Sequence, residues 1–178
     1  MTATPRTTVN IDGYGTPEIA WSAVADVLDG SQTQAPGTGG PNRHTSWLTT
    51  IDPDGRPHVR PVGTVTVAGV RYFNSGPGTR KSRNLARDPR ATLSIATEPF
   101  DLVVEGRAEL VADTAVVAEA VSAFQAGGWP CEQDGEAITA PFSAQTAGPP
   151  PWYLYRIVPE TIYALGTAEP YGATKFDM

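Results

Sequence analysis

The feature that most constrains the fold is a series of short β-branched segments, separated by tight turns, between residues 45 and 111. The predicted strands are residues 45–51, 59–67, 70–74, 91–97 and 101–111. Only one short helix is predicted to interrupt this series, from its N-cap at Thr79 to about Arg87. Closely spaced strands of this kind favour a small antiparallel barrel, closed or split. The predicted class is therefore mainly β with a few helices.

Helical segments flank the strand series. Thr16, Pro17 and Glu18 have the pattern of a helix start, and apolar residues at helical spacing continue to a stop at Gly30. A further helix is predicted from Asp113 or Thr114 to residue 126. Residues 31–42 are a predicted Gly- and Pro-rich linker. We therefore divide the chain into an N-terminal arm, helix and linker at 1–42 and a barrel domain at 43–178.

The 129–151 segment is rich in Gly, Pro, Ala and Thr, and we predict irregular structure for it. Its apolar residues are too widely spaced to form a core alone. It is either a segment that packs on the barrel or on a partner subunit, near the substrate, or a surface insertion. Because it is distant in sequence from the basic residues described below, we expect ligand binding there to be independent of it. Residues 152–165 are predicted as two strands, broken at Pro159.

Composition limits the partners and the compartment. The 178 residues include 13 Lys and Arg against 19 Asp and Glu, a formal net charge of -6. This surplus of acids argues against general nucleic-acid binding, which relies on positive charge to neutralise phosphates. The single cysteine cannot form an internal disulfide, and no stretch is apolar enough for a signal peptide or a membrane span. We expect a cytoplasmic protein with no nucleic-acid partner and no membrane span.

Positive charge is concentrated in residues 56–90, which we call the basic island. It contains eight of the 13 Lys and Arg residues and a single acid. A cationic region in an acidic protein attracts small anions. After a Gly-Pro-Gly turn, Thr79, Arg80 and Lys81 open the predicted short helix, where free backbone N–H groups also lie. Together with Arg60 on a strand, these groups predict a phosphate site, and a solvated basic helix face is the alternative.

Three motifs, taken together, resemble a known family. DGRPHVRPVG, VRYFNSGPGTRKSRNLARDPRATLSI and LVVEGRAELVAD resemble the pyridoxamine phosphate oxidase-like split β-barrel flavoproteins, especially their flavin/deazaflavin oxidoreductase branch. The resemblance covers roughly residues 45–165. The C-terminal ATKFDM is similar to the terminal element of that branch, although Lys175 and Asp177 replace expected arginines. The resemblance implies an FMN-binding split β-barrel of Greek-key-like topology, paired into a homodimer with the flavin ring at the dimer interface.

The resemblance also implies where the cofactor binds. Residues 60–63 would lie along the ring, the strand at residues 72–75 would help to hold the cofactor tail, and residues 79–81 with Asn84 would bind phosphate. His58 falls where deazaflavin-dependent members carry His or Gln beside the cofactor, and a half-exposed strand histidine is the alternative. The implied cofactor-binding residues are His58, Arg60, Pro61, Val62, Gly63, Asn74, Ser75, Thr79, Arg80, Lys81 and Asn84.

These implications favour an oxidoreductase. A bound deazaflavin (coenzyme F-420), or else FMN, would exchange a hydride with a small organic substrate, and no residue stands out as a catalytic acid or base. Vitamin B6 oxidation is not expected, because the chain lacks the late Arg and His set of the family's oxidases proper. The alternative is a non-catalytic carrier of the same fold that binds a flavin, a deazaflavin or a tetrapyrrole. The sequence contains no hydrolase triad or metal-binding motif, so no metal site is predicted.

Overall fold

The computed structural model describes residues 3–30, 46–144 and 147–178. Within these ranges the chain is mainly β, as predicted, and no helix there is long and apolar enough to cross a membrane. The predicted linker at 31–42 lies outside the described residues. The elements are β1 (Thr7–Asn10), α1 (Trp21–Asp29), β2 (Ser46–Ile51), β3 (Pro57–Val62), β4 (Thr64–Val67), β5 (Val70–Ser75), α2 (Arg80–Arg87), β6 (Arg90–Ala96), β7 (Phe100–Val111), α3 (Thr114–Ala126), β8 (Glu132–Asp134), β9 (Ala137–Thr139), β10 (Trp152–Gly166) and β11 (Ala173–Asp177).

The strands form one antiparallel sheet in the order β1-β11-β10-β7-β6-β2-β3. The long strand β10 pairs with β7, while its first half also pairs with β5 and its second half with β11. A single residue, Gly63, separates the edge strand β3 from β4, which pairs with β5 in another part of the sheet. This abrupt crossover gives the sheet the form of a split β-barrel, which confirms the predicted fold class.

The strand β10 is continuous, and the predicted break at Pro159 is wrong. The pairing of β10 with β7 shifts register between Pro159 and Thr161, which is a bulge. Gly106 on β7 lies opposite Pro159, and a Cβ on Gly106 would come within 2.1 Å of the Val158 carbonyl oxygen. A proline has no N–H to donate to the ladder, and a bulge beside a glycine is where a long strand tolerates it.

The N-terminal helix begins later than predicted, at Trp21 instead of immediately after Thr16. The backbone N–H of Thr16 donates to the Asp12 carboxylate at 2.9 Å. The backbone N–H of Ile19 donates to the Thr174 hydroxyl of β11 at 2.8 Å. These bonds link residues 12–19 to the Asp12 side chain and to β11, and the chain there is not helical.

The two ends of the chain belong to the sheet. The predicted N-terminal arm contributes β1, which pairs with β11. On β11 the ammonium of Lys175 lies 2.8 Å from the Asp177 carboxylate, which also accepts from the Thr7 hydroxyl at 2.8 Å. The two residues that replace the expected arginines therefore pair with each other.

Two apolar clusters form the core. The first fills the barrel beneath α1 and includes the fully buried Phe73 and Phe176. The second lies between α3, β9 and the start of β10, around the fully buried Ile138 and Trp152. The β5–α2 connection lies on the same side of the molecule as this second cluster.

The 129–151 segment contains more regular structure than predicted. Its strands β8 and β9 form a hairpin, and β9 also pairs with β10. The ring of Trp129 packs on Phe124 of α3 and on Trp152, with centroid separations of 5.2 Å in both cases. The apolar residues of the segment therefore complete a core with α3 and β10, which supply the partners that the segment lacks by itself.

Candidate functional site

The predicted phosphate site lies in residues 76–82, which are the connection from β5 to α2 and the first turn of α2, and we call these residues the phosphate turn. Thr79 is the N-cap of α2, as predicted, and its Oγ1 accepts from the Ser82 backbone N–H at 3.3 Å. The Ser75 hydroxyl lies 2.8 Å from Thr79 Oγ1 and 2.7 Å from Ser82 Oγ. Three hydroxyls thus meet at a helix N-terminus, where backbone N–H groups and the helix dipole favour an anion.

Lys81 lies in the first turn of α2 and is only 3% exposed. Burial, and next the positive charge of Arg60, lower the pKa of Lys81 from 10.5 to about 8. A negative charge close to a buried ammonium stabilises its charged form. The phosphate turn therefore holds a cation in a position where an anionic ligand would stabilise the charged form.

Arg60 and His58 lie on the edge strand β3. The Arg60 side chain is exposed, and its Nη1 donates to the Val59 carbonyl at 2.7 Å. His58 is 7% exposed, so the alternative of a half-exposed strand histidine is wrong. Burial, and then Arg60, lower the pKa of His58 below 6.5, so its ring is mainly neutral at pH 7. The positive charge of Arg60 lowers the pKa of both Lys81 and His58, so these three side chains lie close enough to interact electrostatically.

Asp52, in the turn between β2 and β3, binds two predicted site residues, Arg80 and Asn84. Its carboxylate accepts from Nε and Nη2 of Arg80 at 2.9 and 2.5 Å and from Nδ2 of Asn84 at 2.9 Å. Nδ2 of Asn84 also donates to the Thr50 hydroxyl at 3.0 Å. The same hydroxyl lies 3.5 Å from Nδ1 of His58. The hydrogen bond from Asn84, followed by that from Arg80, lowers the pKa of Asp52. This network joins the β2–β3 turn to α2 and neutralises a carboxylate that would otherwise repel phosphate.

Sequence analysis missed Asp52, because an Asp-Pro-Asp-Gly run is fully explained as a turn. In the sequence, the position of Asp52 just before the basic island was the one indication that it could bind the basic side chains. It shows that Arg80, although in the phosphate turn, already uses two of its nitrogens within the protein.

Other bases of the island have structural partners. Arg71 is buried and donates to the Leu28 carbonyl at 2.9 Å, at the end of α1, and burial lowers its pKa to about 10. Arg56 and Arg90 form ion pairs with nearby aspartates. The count of eight bases in the sequence therefore overstates the positive charge that a ligand would meet.

The remaining predicted residues divide between the surface and the core. Val62 at the end of β3 is buried in the barrel core. Gly63 is exposed, and a Cβ there would meet nothing within 4 Å. Pro61 and Asn74 are half-buried. In the described ranges no group of His, Cys, Asp and Glu is arranged to hold a metal ion.

Comparison with known families decides the assignment. The family model described as pyridoxamine 5'-phosphate oxidase matches residues 40–166, which is most of the chain. The chain belongs to the pyridoxamine 5'-phosphate oxidase family. The family predicted from the three motifs is confirmed, while its deazaflavin branch stays a prediction. Among curated proteins there is no significant match to this family member.

Solved structures share the fold of this family member. A conserved hypothetical protein from Mycobacterium tuberculosis aligns with a TM-score of 0.59 at 18% identity, over 86% of this chain and 88% of that chain. A heme-binding protein from Mycobacterium smegmatis aligns with a TM-score of 0.53 at 18% identity, over 73% and 52%. A pyridoxamine 5'-phosphate oxidase-related, FMN-binding protein from Nostoc punctiforme aligns with a TM-score of 0.50 at 18% identity, over 72% and 77%. At these identities the likeness concerns the fold.

Proposed function

We propose that this protein binds a flavin-type cofactor by its ribityl phosphate at the phosphate turn and uses it to exchange a hydride with a small organic substrate. The observation that carries the proposal is Lys81, a buried cation in the first turn of α2, the helix at whose N-terminus the hydroxyls of Ser75, Thr79 and Ser82 meet. A cation and hydroxyl groups at one helix N-terminus favour a bound anion.

The donor set fits a phosphate dianion. Lys81 supplies an ammonium, the first turn of α2 supplies backbone N–H groups, and Arg60 on the neighbouring edge strand adds a mobile positive charge. The one carboxylate of the network, Asp52, is already bound by Asn84 and Arg80. We assign Lys81 and the turn as phosphate ligands, with Arg80 and Asn84 acting mainly through Asp52 to fix the orientation of α2.

Two cofactors present this phosphate. Coenzyme F-420 is favoured by the resemblance of the three sequence motifs to the deazaflavin branch. FMN is supported by the family and by a structural neighbour that is described as FMN-binding. When bound, either cofactor supplies the hydride chemistry, and the protein binds it, orients it and excludes water. The neutral ring of His58 and the exposed edge of β3 are the groups that we assign to the ring side of the site.

We propose a homodimer, because the edge strand β3 offers only one wall for a large planar ring. The second wall would come from a partner subunit, across an interface of roughly 1,000 Å² or more. Light scattering of the cofactor-bound protein should give about 38 kDa, twice the chain mass of 18.8 kDa. A mass of one chain at micromolar concentration would contradict the dimer.

A carrier function is the second candidate. The likeness of the fold to a heme-binding protein supports a tetrapyrrole as its ligand. A carrier and an enzyme of this fold differ in turnover, since only the enzyme changes a substrate repeatedly.

One experiment tests these proposals together. The purified protein is titrated with FMN, F-420 and heme, with absorbance and fluorescence as readouts, and the complex that forms is assayed for substrate-dependent turnover. We expect flavin or deazaflavin binding together with turnover. Heme binding alone would favour the carrier, and binding of none of the three would overturn the assignment.

A further inference from the structure

We propose that the 129–151 segment positions the phosphate turn, so that recognition of the cofactor phosphate depends on contacts with Ala147 and Gly148. This inference rests on the proposed function. It replaces the expectation from sequence distance that ligand binding is independent of the segment.

The segment is hydrogen-bonded directly to the first residue of the phosphate turn. The backbone N–H of Gly76 donates to the Ala147 carbonyl at 3.1 Å. On its other side, the Gly76 carbonyl accepts from the backbone N–H of Thr79 at 3.1 Å and from the Thr79 hydroxyl at 2.9 Å. Gly76 therefore links the 129–151 segment to the N-cap of the helix that carries Lys81.

The contact leaves no room for a side chain. A Cβ on Gly76 would lie 2.3 Å from the Ala147 carbonyl oxygen, 3.4 Å from the Pro149 carbonyl oxygen and 3.5 Å from Cδ1 of Trp152. Two of these neighbours are backbone atoms, so they cannot rotate out of the way as a long side chain does. The glycine is required here for space, because the two chains approach so closely.

The segment end that Gly76 contacts is itself fixed. Ala144 and Gly148 exchange two backbone hydrogen bonds, of 2.9 and 2.8 Å. The Gly148 carbonyl also accepts from Nε1 of Trp152 at 2.9 Å, and Trp152 is fully buried against Trp129. The phosphate turn therefore rests on an aromatic core and does not rely on its own short loop for its position.

Phosphate recognition is sensitive to such support. Hydrogen bonds weaken steeply when donor distances and angles depart from their optimum, and a binding group must be held within about 0.5 Å of its productive position. A shift of Gly76 would move Thr79 and the first turn of α2 together. It would leave the rest of the barrel, including β3, unchanged.

The test compares FMN with riboflavin, which has the same ring and ribityl chain but no phosphate. Dissociation constants of both ligands are measured by fluorescence quenching for the wild type, Gly76→Ala and Trp152→Phe. Gly13→Ala is the matched control, since a Cβ on Gly13 meets nothing within 4 Å. Circular dichroism and thermal melts of the ligand-free variants report whether each one folds.

We expect the preference for FMN over riboflavin to fall by about tenfold or more in Gly76→Ala and severalfold in Trp152→Phe, with riboflavin affinity unchanged. A variant that was merely less stable would lose affinity for both ligands alike. If Gly76→Ala does not fold, Trp152→Phe decides the question, because it keeps an aromatic ring in the core while it loses the indole donor and some ring volume. Wild-type preference for FMN in both folded variants would overturn the inference. A wild type without preference for FMN would instead overturn the proposed phosphate site.

Discussion

Lys81 affects both the stability of the ligand-free protein and, as we propose, cofactor binding. Replacing it by Met separates these two effects. Methionine keeps most of the volume of the buried stem and removes the ammonium. In the ligand-free protein, burial and the charge of Arg60 lower the pKa of Lys81, so the charged form is destabilised at neutral pH. We therefore expect Lys81→Met to raise the stability of the ligand-free protein and to weaken cofactor binding.

The size of both effects follows from the pKa and from the contact that is lost. A change from 10.5 to about 8, at about 1.4 kcal/mol per pKa unit, gives a gain in stability of at most about 3.5 kcal/mol. For a domain of this length that is at most about 14 °C in Tm. A lost charge-assisted contact to phosphate, worth about 1.5–3 kcal/mol, weakens the Kd for FMN by roughly 10- to 150-fold.

The pH dependence of the melting temperatures tests whether the lowered pKa of Lys81 causes the difference in stability. Below about pH 8 Lys81 is protonated in both folded and unfolded wild type, and the full penalty of burial applies. Between about pH 8 and 10.5 the folded state releases this proton before the unfolded state does, so wild-type stability rises relative to the variant. The gap in Tm should therefore be largest at pH 7 and small above pH 10.5. Arg6→Met, which removes a cation outside the basic island, is the control and should show no such convergence.

Two results would refute this reasoning. A lower Tm for ligand-free Lys81→Met at pH 7 would mean that the ammonium already stabilises the folded state. An FMN affinity equal to that of the wild type would remove Lys81 from the binding site.

Three further predictions concern pH and the surrounding network. The Kd for FMN should be about twofold weaker at pH 8 and about tenfold weaker at pH 9 than at pH 7, because phosphate binds protonated Lys81, and fluorescence titrations that stay flat to pH 9 would contradict this. Asp52→Asn should lower the Tm at pH 7. Hydrogen bonds from Asn84 and then Arg80 lower the pKa of Asp52, so its stabilisation is present above 3.8 and is lost as pH falls through the folded-state pKa. Melts at pH 7 and 3 that differ from the wild type by the same amount would be inconsistent with this. Arg71→Met should leave the FMN affinity unchanged, because the guanidinium donates to the Leu28 carbonyl at the end of α1 and has no part in the proposed phosphate site. A loss of affinity as large as that of Lys81→Met would place Arg71 in the site.

Local features of the fold were predictable because their causes are local. Thr79 is the N-cap of α2 as predicted, and Asp113 is the N-cap of α3, one of the two caps that the sequence predicts, because a cap bonds to N–H groups two or three residues away. The start of α1 was not predictable, because the hydroxyl of Thr174, distant in sequence, binds the N–H of Ile19. The continuity of β10 through Pro159 likewise depends on Gly106 of another strand.

In the candidate site, too, local features were predictable from the sequence and long-range contacts were not. The basic residues and the helix start are visible in the sequence, and they are sufficient to predict an anion site near Lys81. Its burial, the pairing of Arg80 with Asp52 and the contact of Gly76 with Ala147 join residues that are far apart in the chain. These long-range contacts determine which cations face a ligand and how firmly the turn is held.

A crystal structure of the protein with FMN tests the central claim most directly. We predict that the phosphate lies at the start of α2, with an oxygen within about 3 Å of Lys81 Nζ and others accepting from the backbone N–H groups of the first turn. Arg80 should remain bound to Asp52 in that complex. A phosphate bound elsewhere on the molecule, with Lys81 making no contact to it, would contradict the account.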